Sequence, residues 1–331
     1  MEAKHGESHV CRAHGRRYGG RRRYCSVCGH TWTAHPRRPG RKRLRAEATL
    51  PRLMLAKHQP AGQFIARRHC STSAFYEHSR RAFARLAKTP YSPPLSDAGD
   101  LILIVDGLWF TVRNVESVLY NLAVRPIHSA IAYLLDPVML VGKEYEKTWR
   151  EAIKTSVMPE VLTHIRALVA DGFKGARAIA SDYGWVYQRC HWHLLRTLGV
   201  FGTKKYRHMR GRVARDAATR FVQAIIYEKD EQIVQQLCTD LQDLASDTCL
   251  GNRRIRYVVS NFLRDVDQFR AYLRHPELRL PTTTGTMESF HAKVRPAASR
   301  VSSLESILNR AKCLVRLYPT ITNNGHQNPQ N

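Results

Sequence analysis

Three carboxylates stand where a metal-dependent phosphoryl-transfer site would need them. Asp106 ends the apolar run Leu101-Ile102-Leu103-Ile104-Val105. Asp171 ends Ala167-Leu168-Val169-Ala170 and precedes Gly172. Glu288 lies in Thr284-Gly285-Thr286-Met287-Glu288-Ser289-Phe290-His291. Carboxylate oxygens are hard ligands that suit Mg2+ or Mn2+, and a two-ion site, with ions about 3.5–4 Å apart, draws them from separate elements. An acid at the end of a buried strand is costly unless it is solvated, paired or metal-bound. One such Asp is more often a turn or helix-cap residue. Two of the form apolar run, Asp, Gly, together with a helical Glu, shift the balance toward ligands. Asp136 and Asp182 are rivals; Asp182 follows Ala178-Ile179-Ala180-Ser181, and spacing alone does not exclude it.

Softer ligands cluster elsewhere. Cys11-x-x-His14 is followed, ten residues on, by Cys25-x-x-Cys28. Two tight pairs at this separation suit tetrahedral Zn2+, and glycines at 15, 19, 20 and 29 allow tight turns. His9 and His30 compete with His14 as the third ligand. Cys190-x-x-His193 has no second pair nearby, so packing on one helical turn is its plain reading. His291 and Arg295 fall three and seven positions after Glu288, on one helix face, from which they could reach a scissile phosphate.

These residues need a scaffold, and the composition bounds it. The 331 residues carry a net charge of +26, with 43% apolar residues. That is enough for a core of about 200 residues plus small modules. A field of that sign fits a polyphosphate partner, because each neutralised phosphate releases counterions. Residues 1–100 hold 21 Lys and Arg against 6 Asp and Glu, so the first third is the denser basic element. Three of eight cysteines fall within the first 28 residues, unlike a disulfide framework spread over a secreted domain. With no signal-like segment and no apolar run of spanning length, a cytoplasmic protein without a membrane partner is expected.

The pattern along the chain predicts a zinc-ribbon arm over 1–43, a helix-turn-helix over 44–88, a linker over 89–100, a catalytic domain over 101–322 and a polar tail over 323–331. In the helix-turn-helix, Ile65 and Ala66 would face the core, Cys70 would lie near the turn and Ser71 would cap the second helix. Arg67, Arg68, Arg80, Arg81 and Arg85 border it and would contact phosphates. Leu101–Val105 reads as a buried strand, with Thr111–Val124 and Ser129–Leu135 as antiparallel partners. Residues 144–165 have helical period, a short strand leads to Asp171, and 204–275 and 286–317 read as helical.

Over residues 101–317 the chain resembles the Mutator-like group of bacterial insertion-sequence transposases. The most specific part is Asp171-Gly172-Phe173-Lys174-Gly175, then Gln188-Arg189-Cys190 with His193, then Leu195-Arg196. The intervals also fit: 64 residues lie between Asp106 and Asp171, and 116 between Asp171 and Glu288. One departure is Gly285, where relatives often have Asn. The resemblance implies an α/β fold with a mixed sheet: an RNase H-like core with a helical insertion at about 204–275. It implies that Asp106, Asp171 and Glu288 form a DDE triad holding Mg2+ or Mn2+, and it demotes Asp136 and Asp182. It marks Cys190 and His193 as a family signature without giving their role. It further implies a nucleoid-associated bacterial enzyme that cuts and joins double-stranded DNA at terminal inverted repeats and target sites, as a homo-oligomer on DNA. Arg67, Arg68, Arg80, Arg81, Arg196 and Arg295 would contact that DNA. Two other outcomes stay open: a DNA-binding remnant or repressor without catalysis, and a nuclease that cuts without joining.

Overall fold

The computed structural model describes residues 11–17, 20–34, 49–56, 61–68, 71–95, 99–199, 212–247, 253–299 and 301–322. The chain divides into two units, Met1–Ala82 and Phe83–Asn331.

In the first unit, β1 (Cys11–Arg17), β2 (Gly20–Cys25) and β3 (Thr31–Ala34) form an antiparallel sheet. Its register sets Cys11 opposite Cys25. Gly29 adopts φ 68° and closes the turn after β2, where its N–H donates to the Cys25 carbonyl at 3.0 Å. Among the described residues of this sheet only Cys25 is buried. Strands rich in Arg and Gly supply no apolar layer among the described residues, and the ladder is joined by contacts such as Arg22 to the Thr31 hydroxyl at 3.1 Å. The same unit holds a helical stretch at 49–55 and α1 (Ala61–Arg68), and α2 (Thr72–Ala87) runs from it across the unit boundary. Leu50, Phe64, Phe75 and Ala82 form a small core, with the Phe64 and Phe75 rings stacked at 6.0 Å. Phe64 is the buried anchor of α1 and Ile65 packs at the edge of the cluster, one position off the sequence expectation. Ser71 does cap α2: the Ala74 N–H donates to its hydroxyl at 3.2 Å. Cys70 and the side chain of Ala66 lie outside the described residues.

The second unit is a mixed α/β structure. Its sheet contains β4 (Leu101–Val112), β5 (Val115–Pro126), β6 (Ile131–Leu134), β7 (Val138–Val141), β8 (Ile165–Ala170), β9 (Val186–Arg189) and β10 (Thr320–Thr322). The strand order is β10-β6-β5-β4-β8-β9, and β7 pairs with the far part of β5. The β4–β8 and β8–β9 pairs are parallel and the others antiparallel. Parallel pairing needs crossovers. The first contains α3 (Glu146–Ser156) and a single turn, Pro159–Leu162; the second is α4 (Ala176–Asp182).

Alternation along β4 decides which side chains meet which layer. Leu101, Leu103 and Val105 face a core with Tyr120, Leu122, Trp149 and Ile153. By the two-residue period, Ile102, Ile104 and Asp106 face the other way. On that side β4 and β5 meet α9 (Gly285–Ala298).

The sequence reading placed Asp106 at a strand end, whereas β4 continues six residues beyond it. The hairpin with β5 pairs Gly107 with Tyr120 and runs on to Val112 opposite Val115. Trp109 to Val112 are good strand formers but half-exposed, so no apolar run betrays them. Thr111 and Val112, expected in the second strand, therefore belong to the first. Arg113 and Asn114, both at positive φ, make the two-residue turn. The four-residue strands β7 and β9 gave no periodic signal.

Between β9 and α9 lie α5 (His191–Leu198), α6 (Arg212–Tyr227), α7 (Glu231–Ser246) and α8 (Arg253–Arg264), then single turns at Val266–Phe269 and Ala271–Arg274. They share a separate core that includes Leu194, Val222, Ile225, Leu241, Phe262 and Phe269. The buried Arg270 braces it, bonding Glu231 at 2.9 Å and the Glu228 carbonyl at 2.8 Å. The last helix is α10 (Leu304–Leu317), capped by Ser303. The tail 323–331 lies outside the described residues. Among the described residues no helix is long and apolar enough to cross a membrane.

Candidate metal centre

The β4–β8 register pairs Ile102 with Ala167 and Ile104 with Val169. Carried past the end of β8 at Ala170, it lines up Asp106 with Asp171, whose charge acts on the Asp106 carboxyl. Asp106 is buried, and its Oδ2 has no hydrogen-bond partner among the described residues. Asp171 begins a turn and accepts the Phe173 N–H at 3.1 Å. Gly172 (φ 95°) and Gly175 (φ 99°) shape this turn, and a Cβ on either would collide, with the Arg189 guanidinium and with Glu146 respectively. Both glycines of the Asp-Gly-x-x-Gly motif thus answer to backbone conformation and to space.

Glu288 reaches the same place from the first turn of α9, where the positive end of the helix dipole favours a carboxylate. Gly285 opens that helix with an ordinary φ, so the departure from Asn leaves the helix start intact. His193, on α5, has its Nε2 3.8 Å from Glu288 Oε1. One ligand atom each from Asp106, His193 and Glu288 lie within 4.8 Å of one another, a buried cluster that could hold a metal ion.

His291 does not face a phosphate-sized opening. It is 1% exposed, with Nδ1 3.8 Å from Asp106 Oδ2 and Nε2 3.0 Å from the amide nitrogen of Asn121. That amide also donates to the Leu119 carbonyl at 2.9 Å. Its nitrogen must therefore be the atom at His291, so Nε2 accepts and Nδ1 carries the proton that faces Asp106. Asn121 is the cross-strand neighbour of Asp106. A lone polar residue inside the apolar strand Val118–Val124 was its only sequence signal.

The charges in this site repel one another. Burial raises the Asp106 carboxyl well above its usual range, and Asp171, Glu288 and Glu144 push the same way. Glu144, which the sequence reading did not single out, is a fourth acid here. Burial and then Asp171 raise it to about 7, against hydrogen bonds from the Trp149 and Trp109 indoles. The Trp149 bond is 2.6 Å long. Gly107 leaves the space that the Glu144 carboxylate occupies. Burial lowers the pKa of His193, against the pull of Asp171 and Glu288, and burial takes His291 down to about 3. The Arg295 guanidinium, more than half exposed, lies 3.9 Å from Glu288 Oε2, and Arg196 acts on His193.

The segment from Gln188 to His193 ties three elements to the centre. Gln188 is buried; its amide donates to the Phe269 carbonyl at 3.1 Å and accepts the Tyr272 N–H at 2.9 Å, which fastens the end of the helical insertion. Arg189 pairs with Asp265 at 2.8 Å and lies over the Phe269 ring while filling the space above Gly172. Cys190 is fully buried; its N–H donates to the Ala170 carbonyl at 2.8 Å and its Sγ accepts the Thr284 N–H at 3.2 Å. It thus joins the end of β8 to the start of the Glu288 helix. His191 bonds the Phe269 carbonyl at 2.7 Å, and its pKa falls to about 4 through burial.

Asp136 is paired with Arg316 and Asp182 with Arg150. Arg80 and Arg81 are exposed and both bond Glu77. The side chains of Arg67 and Arg68 lie outside the described residues, as does that of Cys11. Arg196 is exposed and lies over the Trp192 ring at 4.9 Å. In the amino-terminal sheet His14 contacts the Tyr24 ring, and Cys28 is exposed. No family model matches the chain, and no curated protein matches it either.

Proposed function

We propose that the second unit is an RNase H-like phosphoryl-transfer core, and that the chain is a Mutator-like DDE transposase acting on double-stranded DNA. The observation that supports this is the cluster of Asp106, on a central strand of a mixed sheet, with Glu288 from the helix after the insertion, and with Asp171, just past the end of the parallel strand β8, near enough to raise the Asp106 carboxyl. Leaving out β7 and β10, the strands run 3-2-1-4-5 across the sheet, counting β4 as the first and β9 as the fifth.

The residues fit a divalent cation. Asp106 Oδ2 is buried without a partner among the described residues, and burial and acidic neighbours raise the Asp106 and Glu144 carboxyls. An ion supplies the missing charge. Asp106, Asp171 and Glu288 would hold Mg2+ or Mn2+, which activates water and stabilises the departing 3′ oxygen. The chain's own groups do the rest. His291 and Asn121 orient Asp106, Cys190 sets the start of the Glu288 helix, and Arg196 and Arg295 are exposed for phosphate contacts. In the first unit Cys11, His14, Cys25 and Cys28 would hold Zn2+. The β1–β2 register and the turn at Gly29 suit that set, and the sheet lacks an apolar core that would replace it. This ribbon and the α1–α2 hairpin, with Arg67, Arg68, Arg80 and Arg81, would bind the element's inverted repeats, in a homo-oligomer on DNA.

Oligonucleotides carrying the repeats that flank the gene test this reading. Mg2+-dependent nicking at the repeat end, followed by joining to a target duplex, is the expected result. Cutting without joining would leave a nuclease, and binding without cutting a DNA-binding remnant.

A further inference from the structure

A centre made of three carboxylates would offer an ion only oxygen. Here the three closest ligand atoms include an imidazole nitrogen. Asp106, His193 and Glu288 present theirs within 4.8 Å of one another, with His193 Nε2 3.8 Å from Glu288 Oε1. Ligands about 2.1 Å from a shared ion can be no more than about 4.2 Å apart. A closure of a few tenths of an ångström therefore gathers this set.

Two further observations point to a ligand. Asp106 Oδ2 is buried and unpartnered at the cluster. The neighbouring histidines are committed to the fold, whereas His193 is not. His191 bonds the Phe269 carbonyl and His291 bonds Asn121. His193 Nδ1 has no hydrogen-bond partner among the described residues, and Nε2 faces the Glu288 carboxylate at 3.8 Å. Cys190, three residues earlier, is engaged by Thr284, so the two signature residues do different work.

We propose that His193 is a nitrogen ligand of an ion shared with Asp106 and Glu288, and that this centre takes Mn2+ in preference to Mg2+. The inference rests on the metal-centre reading above and assigns its unexplained histidine. Mn2+ accepts carboxylates together with an imidazole more readily than Mg2+, which favours oxygen ligands and retains its waters.

The test is Mn2+ titration of the full chain, followed by pulsed electron paramagnetic resonance, comparing wild type with His193→Ala and His193→Gln. Wild-type Mn2+ should show histidine nitrogen coupling. Both variants should lose it, with Mn2+ affinity falling about 10-fold and Mg2+ affinity, read by competition, changing less than about 3-fold. Bound Mn2+ without nitrogen coupling in the wild type overturns the role of His193 and leaves the carboxylate site standing. So does coupling that survives in folded variants. A wild type that binds no Mn2+ overturns both readings. The wild-type spectrum decides even if a variant fails to fold.

Discussion

The sheet around Asp106 and the small sheet at residues 11–34 stand at opposite limits of how a chain holds functional groups. In the first, Asp106 is placed by a twelve-residue strand with neighbours on both sides and apolar cores. Its strand places the acid before any ion arrives, and repulsion from the neighbouring acids opposes folding. In the second, strands of four to seven residues carry mainly Arg, Gly and Tyr, and only Cys25 is buried among its described residues. A metal would be a counter-charge in one and the missing core in the other.

The sharpest way to break this contrast is Asp106→Ala or Glu288→Ala. Each should lower strand cleavage by about 10^3-fold or more while DNA affinity stays within about 3-fold, since several kcal/mol of transition-state stabilisation is removed. Wild-type cleavage by either variant removes that residue from the site.

Zinc chelation, or Cys25→Ser with Cys28→Ser, should abolish amide-exchange protection over 11–34 and leave the melting of the second unit unchanged. Protection that survives in a metal-free arm would show that the ladder suffices.

Gly172→Ala and Gly175→Ala probe how tightly the Asp171 turn is built. Each forces a left-handed backbone on a residue with a Cβ and displaces Arg189 or Glu146. A loss of about 1–3 kcal/mol in denaturant unfolding is expected. A smaller loss would show that both neighbours move aside at little cost.

The smallest effect concerns charge. Glu144 is raised from 4.5 to about 7 in the folded chain, so between these values the folded state holds a proton that the unfolded state releases. Metal-free stability from this group therefore falls as pH rises through that window. His191 and His291 work in the opposite direction: their pKa values are lowered, so their contribution is lost as pH falls below about 6.5. Glu144→Gln should raise the metal-free melting midpoint at pH 8 by about 2–4 °C, and by less at pH 5. A midpoint that does not move at pH 8 would show that Glu144 is solvated better than its surroundings imply.

Much of the site was legible because chemistry-bearing residues interrupt otherwise plain patterns. Asp106 and Asp171 interrupt apolar runs, and Asp-Gly-x-x-Gly announces a turn. Glu144 and Asn121 gave no such signal: one follows an ordinary Gly-Lys, and the other is a single amide in a strand. His291 was read from its helix face as a phosphate contact, because helical spacing shows which residues share a face and not whether that face is covered.

The sequence by itself determined the residue types, the two-residue alternation that sends Asp106 away from Leu103 and Val105, and the long helical stretch before Glu288. These follow from local geometry, which neighbours along the chain express. Only the tertiary structure decided which acids meet. The parallel register of β4 and β8 lines up Asp171 with Asp106, Cys190 fastens the Glu288 helix to β8, and His193 arrives because α5 starts at that junction. Such contacts join residues up to about 180 positions apart, and no local preference encodes them.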